Sequence, residues 1–210
     1  MATTAAKENI LKKIRQALSN PVPLPFPQSE GTQSVFKNST EDDAIVFAEA
    51  FTKLQGKFSF CFDEAELLSQ LQILIRERNW TNIYCREEKF LPLLNALQVK
   101  PYSDLATCDV SITGCEYLVA RTGTIVMSAA QQSGRTTSVY APVHICIAYN
   151  HQMLYELKDA LQFMKEKYAR QFPSLVTFAS GPSRTADIEK TLVTGVHGPK
   201  EVFCFLVEAS

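Results

Sequence analysis

The residues most capable of chemistry lie in two segments, GPSRTADIE at 181–189 and GVHGP at 195–199. Together they hold an arginine, two carboxylates and one of the three histidines, framed by two Gly-Pro pairs. The apolar run 175–179 before them predicts a strand. The first Gly-Pro pair ends this strand, and Ser183 or Thr185 then offers a hydroxyl to cap a helix. We therefore expect a strand, a turn and the start of a short helix.

Such a helix start would form an anion site. Free N–H groups and the positive end of the helix dipole favour an anion there, and the Arg184 guanidinium could grip a carboxylate or phosphate. The predicted ligand-binding residues of this segment are Ser183, Arg184 and Thr185. In the alternative interpretation, Asp187 and Glu189 only complement the dipole and Arg184 pairs with one of them.

A second polar group lies between residues 113 and 124. It combines the Cys115 thiol, the Glu116 carboxylate and the Arg121 guanidinium with two glycine turns. Convergent polar groups at a strand end are typical of a small-molecule pocket, which adds three ligand-binding residues, Thr122, Gly123 and Thr124. The alternative is that Glu116 and Arg121 form a surface pair on a connecting turn.

Three further residues have weaker claims. Arg135, in a polar loop, could close over an anionic ligand or belong to a solvated hairpin tip. His144 is expected at a strand start, where a histidine is more often a satisfied core or edge residue. His197 would lie at the opposite end of the sheet from Arg184 unless the helix is short or the last strand antiparallel.

The sequence offers no signature of a metal or cofactor site. The six cysteines never form a Cys-x-x-Cys pair and the three histidines are dispersed, so we expect buried, reduced thiols and no metal. Glycine-rich dinucleotide, nucleotide-triphosphate and hydrolase motifs are also missing from the sequence. The predicted cofactor content is therefore none.

Composition sets the class of protein. The chain has 210 residues, of which 46% are hydrophobic and 20% charged, and its formal charge is −1. This length and apolar content suit one globular domain, and the balanced charge argues against nucleic acid or a membrane surface as a partner. The amino terminus leads into an amphipathic helix rather than an apolar signal, so we expect a cytoplasmic protein.

The chain divides into an arm and a body. Residues 1–40 predict a helix followed by alternating prolines, an arm that docks on a partner or packs back on its own domain. Residues 41–210 alternate helices and strands, which predicts an α/β layered sandwich with a mixed, mostly parallel sheet. In such sheets ligands bind beyond the carboxyl ends of the strands.

The two segments 181–189 and 195–199, with the Thr-Gly-Thr at 122–124 and the stretch 134–145, resemble the lactate-utilisation (LUD) domain family, in particular its lactate utilization protein C group. The likeness begins near Glu41. It implies a fold like that of ribose-5-phosphate isomerase and CoA transferases, related to 5-formyltetrahydrofolate cyclo-ligase. Many members carry a carboxylate where this chain has Arg121, which weakens any acid–base role at that position.

The resemblance implies a part in the oxidation of L-lactate to pyruvate beside iron–sulfur subunits. Because this chain lacks cluster, flavin and NAD motifs, an accessory subunit that binds a small anionic molecule fits better than a catalyst. The alternative is a stand-alone enzyme related to CoA transferases, sugar-phosphate isomerases or the cyclo-ligase. Its candidate catalytic residues would be Glu116, Glu189 and His197.

Overall fold

The computed structural model of this chain describes residues 5–19, 40–188 and 191–208. The chain separates into two compact units, residues 1–38 and 39–210. In the first unit, helix α1 spans Ala5–Leu18 and carries exposed Ile10, Leu11, Ile14 and Leu18. The prolines of the predicted arm lie outside the described residues.

The second unit alternates helices and strands as the sequence predicts. Its helices are α2 (Asp43–Lys53), α3 (Glu64–Arg78), α4 (Leu91–Ala96), α5 (Thr137–Tyr140) and α6 (Leu157–Lys167). Its strands are β1 (Lys57–Cys61), β2 (Ile83–Cys85), β3 (Val110–Thr113), β4 (Tyr117–Val119), β5 (Thr124–Ser128), β6 (Val143–Tyr149), β7 (Met153–Leu154), β8 (Val176–Ala179), β9 (Arg184–Ile188), β10 (Thr191–Thr194) and β11 (Glu201–Val207).

Local chemistry sets the helix ends. Asp63 caps α3 by accepting a hydrogen bond from the Glu66 N–H at 2.7 Å, and Asn79 closes the helix in the left-handed conformation. Asp42 caps α2 through the Ala44 N–H at 2.8 Å. Both caps follow from the residue type at the position, so the sequence already locates these ends.

Five strands form a sheet in the order β1-β11-β6-β3-β2, and every neighbouring pair in it is parallel. Helices α3 and α4 cover one face through Leu67, Leu71 and Leu94. Phe47 and Phe51 of α2 cover the other face, together with the second sheet. This arrangement confirms the predicted α/β layers and the mostly parallel sheet.

A second sheet has the order β7-β4-β5-β8, with β4–β7 parallel and the other two pairs antiparallel. It accounts for the run of successive strands in the sequence after residue 112. Helix α6 packs on its outer side through Ala160 and Met164. The sequence pattern favours a short helical turn at 115–120 and one long helix at 151–170. Instead, strand β4 occupies 117–119, and α6 begins only at Leu157 because the residues before it form a 3-10 turn and β7.

The helix predicted after Ser183 is wrong. Strand β9 begins at Arg184 and pairs antiparallel with β10, with Thr185 opposite Val193 and Ile188 opposite Thr191. β-Branched residues favour this pairing, since their stiff side chains suit a pleated strand better than a helix. The anion site at a helix start therefore loses its basis, and Ser183 leads into a hairpin instead.

Within the described ranges, no helix combines the length and the apolar character needed to cross a bilayer.

Candidate functional site

The two sequence motifs meet at the base of the hairpin. The Ser183 N–H donates to the Pro199 carbonyl at 2.9 Å, and the Gly195 N–H donates to the Ser183 carbonyl at 2.9 Å. These backbone bonds hold the segment before β9 against the loop after β10. His197 is therefore brought to Ser183 by the antiparallel hairpin, although β11 itself runs parallel to its neighbours.

Gly198 allows this close approach. A Cβ atom built on Gly198 would lie 2.9 Å from the Ser183 Cβ, which is closer than side chains tolerate, and 3.3 Å from the Ser183 Oγ. The Lys200 N–H donates to the Pro142 carbonyl at 2.8 Å, which fixes the same loop to the start of β6. The close packing of this loop on Ser183 therefore requires a glycine at position 198 of the second motif.

A cavity of about 290 Å³ lies beneath these segments. Its polar lining consists of Ser138, His144, Thr177, Ser180, Ser183 and His197. His144 is buried whereas His197 is exposed, so the cavity runs from a closed floor to solvent. Its volume is at the lower end of the range for ligand pockets, which suits a small metabolite.

The cavity lies over the amino-terminal part of the parallel sheet. His144 and Val202 both line it, and each is the second residue of its strand. The expectation of a site at the carboxyl ends of the strands is wrong for this cavity. The second sheet explains this position, because its strands β5 and β8 enclose the cavity above the first residues of β6 and β11.

His144 provides the buried polar group of the floor. Its side chain is 1% exposed, its Nε2 lies 2.8 Å from the Thr113 Oγ1, and its Nδ1 has no hydrogen-bond partner. Burial lowers the pKa of this imidazole to about 4, so the ring is neutral near pH 7. His144 is a core residue, as the sequence suggests, but one of its ring nitrogens is unsatisfied.

A signal for His144 was present in the sequence. In β3, Ser111 and Thr113 alternate with apolar residues, and Ser111 is the register partner of His144 in β6. All three are buried, and the Ser111 Oγ also lacks a partner. Polar residues at every second position of buried strands indicate a polar patch, because buried polar groups are costly without a partner.

The Thr122-Gly123-Thr124 segment contacts this site through Ser180. The Thr124 hydroxyl lies 2.7 Å from the Ser180 hydroxyl and 2.8 Å from that of Thr122. Ser180 lines the cavity. In the described structure the three residues therefore support the cavity wall.

Glu116 lies in a different environment. Its carboxylate accepts hydrogen bonds from Ser128, from Lys167 at 2.8 Å and from Tyr168 at 2.8 Å. Burial raises the pKa of Glu116, but these three donors outweigh it and hold the pKa below its ordinary value. The alternative of a Glu116–Arg121 pair is wrong, since Arg121 pairs with Glu156 at 3.0 Å.

The remaining predicted residues are spread over the surface. Arg135 donates to Ser174, which lines a second cavity of about 740 Å³ beside Lys167. Arg184 is exposed and Thr185 is partly buried in β9, and neither is among the described residues that line the His144 cavity. Glu189 lies outside the described residues.

All six cysteines are buried, as the sequence predicts, and none of them is joined in a disulfide. Burial raises the pKa of Cys61 and of Cys85 to about 11, so neither thiol ionises readily at neutral pH. Across residues 5–19, 40–188 and 191–208, no three His, Cys, Asp or Glu side chains are grouped so that they could hold a metal ion.

Comparison with known proteins places these observations in a family. The sequence profile of the LUD domain matches residues 94–207, which include both cavity motifs. A Lactate utilization protein C from an Exiguobacterium species is 27% identical over 224 aligned residues, covering 98% of this chain and 97% of that protein.

A Lactate utilization protein C from Halalkalibacterium halodurans is 35% identical over 101 residues, which are 47% of this chain and 44% of that protein. The match therefore spans less than half of this relative. A crystal structure of a DUF162 family protein from Deinococcus radiodurans superposes with a TM-score of 0.60 at 18% identity, covering 80% of this chain and 99% of the other. This likeness supports the fold.

Proposed function

We propose, from the premise that this chain belongs to the LUD domain family, that it takes part in the utilisation of lactate. In this role the chain is an accessory protein, and the His144 cavity binds a small carboxylate such as lactate. The observation that carries the proposal is that Ser183 and His197, from the two sequence motifs, line one cavity together with the buried His144.

The polar lining suits a small carboxylate. Ser138, Thr177 and Ser183 contribute hydroxyl groups that can donate to carboxylate oxygens, and His197 at the exposed end adds a ring N–H donor. Arg184 follows Ser183 directly and is exposed, so it adds positive potential near this segment. These residues favour an anion without burying a permanent charge.

A stand-alone CoA-transferase-like enzyme is less well supported. Such an enzyme needs an accessible glutamate as its nucleophile. The Glu116 side chain is 1% exposed and accepts three hydrogen bonds, so it cannot attack a substrate without breaking them. The Glu116 network therefore favours a structural role for this carboxylate.

Ser183→Ala should weaken the binding of L-lactate to the full-length protein by about tenfold, because one hydroxyl donor to the carboxylate is lost. Isothermal titration calorimetry measures this change. Ser174→Ala is the matched control, since Ser174 lines the other cavity and should leave the affinity unchanged. Equal losses in both variants, or no lactate binding by the unaltered protein at millimolar concentration, would contradict the proposed site.

A further inference from the structure

A cavity of about 740 Å³ lies beside the carboxyl end of α6. Residues 167–174 form one wall, and the two alanines that follow β5 form the other. The Ala129 N–H donates to the Leu175 carbonyl at 2.9 Å, which joins the two walls. We name this space the Arg170 cavity. The lining residues that the structure describes for it include none of those around the His144 cavity, so a ligand in it would be a second ligand.

The charged side chains that line the Arg170 cavity are cations. Lys167 and Arg170 both belong to its wall, and no carboxylate is among the lining residues that the structure describes. Arg135 comes from the loop before α5 and donates to the Ser174 hydroxyl, which is part of the same wall. Two separate segments of the chain therefore bring three cations to one cavity. A cleft lined by charges of one sign concentrates ions of the opposite sign, so this cavity favours an anion.

Lys167 is charged at neutral pH, but a carboxylate balances its charge. Partial burial lowers the pKa of this ammonium group, yet the Glu116 carboxylate outweighs that effect and holds the pKa above its ordinary value. The hydrogen bond between the two groups, at 2.8 Å, takes one of three N–H groups, and the Lys167 side chain remains 53% exposed. Lys167 can therefore still donate to a ligand.

The two arginines supply the net positive charge. Arg135 and Arg170 are both exposed, and within residues 5–19, 40–188 and 191–208 neither forms an ion pair with a carboxylate. The contact with Ser174 takes one of the five N–H groups of Arg135. A guanidinium group can bind two oxygens of a phosphate or carboxylate at once. These donors are therefore available to an anionic ligand.

We propose that the Arg170 cavity binds an organic phosphate monoester. Arg135, Lys167 and Arg170 hold the phosphate, whose three terminal oxygens and charge of about −1.5 to −2 at pH 7 match three cations better than a carboxylate does. Phe172, which is 46% exposed, and Pro173 provide an apolar surface for the rest of the molecule. The volume of the cavity lies within the usual range for small-molecule sites. The proposal does not depend on the lactate site.

Phenyl phosphate is a suitable probe, because it joins a phosphate monoester to one aromatic ring. In calorimetric titration of the full-length protein at pH 8, we expect it to bind saturably. Benzoate should bind at least about tenfold more weakly, since its carboxylate leaves one cation without a charged partner. The proposal would be overturned if phenyl phosphate bound no more tightly than benzoate, or did not bind saturably at millimolar concentration.

Arg170→Gln and Arg135→Gln should each weaken the binding of phenyl phosphate about tenfold, the effect of losing one charge-assisted hydrogen bond. Both positions are exposed, so the variants should keep the fold. Lys165→Gln is the matched control, because it removes an exposed cation of α6 that is not among the described lining residues. It should change the affinity less than about twofold. An equal loss in this control would show a general charge effect and would overturn the site.

Backbone nitrogen-15 shifts locate the ligand without any substitution. Phenyl phosphate should shift the signals of Gln171 and Ser174 and leave those of Ser183 and Gly198 unchanged. The reverse pattern would overturn the Arg170 cavity as the phosphate site. The three variants should bind L-lactate as the unaltered protein does, and a failure of the unaltered protein to bind L-lactate would count against the proposed function alone.

Discussion

Gly123→Ala should lower the free energy of unfolding by about 3–5 kcal/mol, the sum of a left-handed backbone cost and a steric clash. Gly123 has φ +55°, and a Cβ atom there would lie 2.4 Å from the Phe51 nitrogen and 2.7 Å from the Ala50 carbonyl carbon. Both atoms belong to the backbone of α2, which cannot yield locally because Phe51 is fully buried. Urea unfolding measures the change.

Gly134→Ala is the matched control. Gly134 also has a positive φ, +68°, but a Cβ atom there would meet no other atom within 4 Å. Gly134→Ala should therefore lower the free energy of unfolding only through the strain of the left-handed backbone, by about 1 kcal/mol. If the two variants lose the same stability, α2 does not pack on Gly123 as described. The support that Thr124 gives to Ser180 would then need another explanation.

Glu116→Gln should lower the free energy of unfolding by about 3 kcal/mol at pH 7, since the carboxylate is buried and joined to Lys167. The amide would also present an N–H group to donors that now need an acceptor. Thermal and urea unfolding would measure the loss. A cost below about 0.5 kcal/mol would mean that the pair is weak, as surface pairs commonly are.

Lys167→Met tests the same network through pH. The lowered pKa of Glu116 means that the carboxylate stabilises the fold above its unfolded-state pKa, and this contribution is lost as the pH falls through the folded-state pKa. Without Lys167, burial should raise the pKa of Glu116. Acid unfolding should then begin about one pH unit higher. Lys165→Met, an exposed position on the same helix, should leave the acid transition unchanged.

Strands β6 and β11 of the parallel sheet follow from the sequence because most of their residues are apolar on both faces. The apolar run at residues 201–207 forms strand β11, as its residue types indicate. Asp42 and Asp63 mark helix starts through local capping, which needs no tertiary information. Elements with such local causes were predictable.

The hairpin after Ser183 was not predictable from capping rules. Asp187 and Glu189 fit the first turn of a helix, but β-branched Thr185, Ile188, Thr191 and Val193 fit two short strands equally well. The pairing of β9 with β10 makes this segment a hairpin. It joins Arg184 to Thr194 and Thr185 to Val193, which lie farther apart in the sequence than the three or four residues that separate neighbours on a helix face. The late start of α6 has a similar cause, because β7, just before it, pairs with β4, which comes much earlier in the chain.

The candidate site contains some of the residues that the sequence singles out, and their role stays a prediction. Ser183 and His197 line one cavity, while Arg184 and Arg135 are not among its described lining residues. His144 could not be assigned from its own segment, because its importance comes from Ser111 and Thr113 on a neighbouring strand. The position of the cavity depends on the second sheet, whose strands come from distant parts of the sequence.

A nitrogen-15 chemical-shift titration of the full-length protein with L-lactate tests most directly whether the His144 cavity is the ligand site. The expected result is a saturable set of shifts in the backbone signals of Ser183 and Gly198 and the ring signals of His144 and His197. Signals of Tyr168, Gln171 and Ser174, which line the other cavity, should stay constant. Shifts confined to that second group, or no saturable shift at all, would contradict the proposed ligand site.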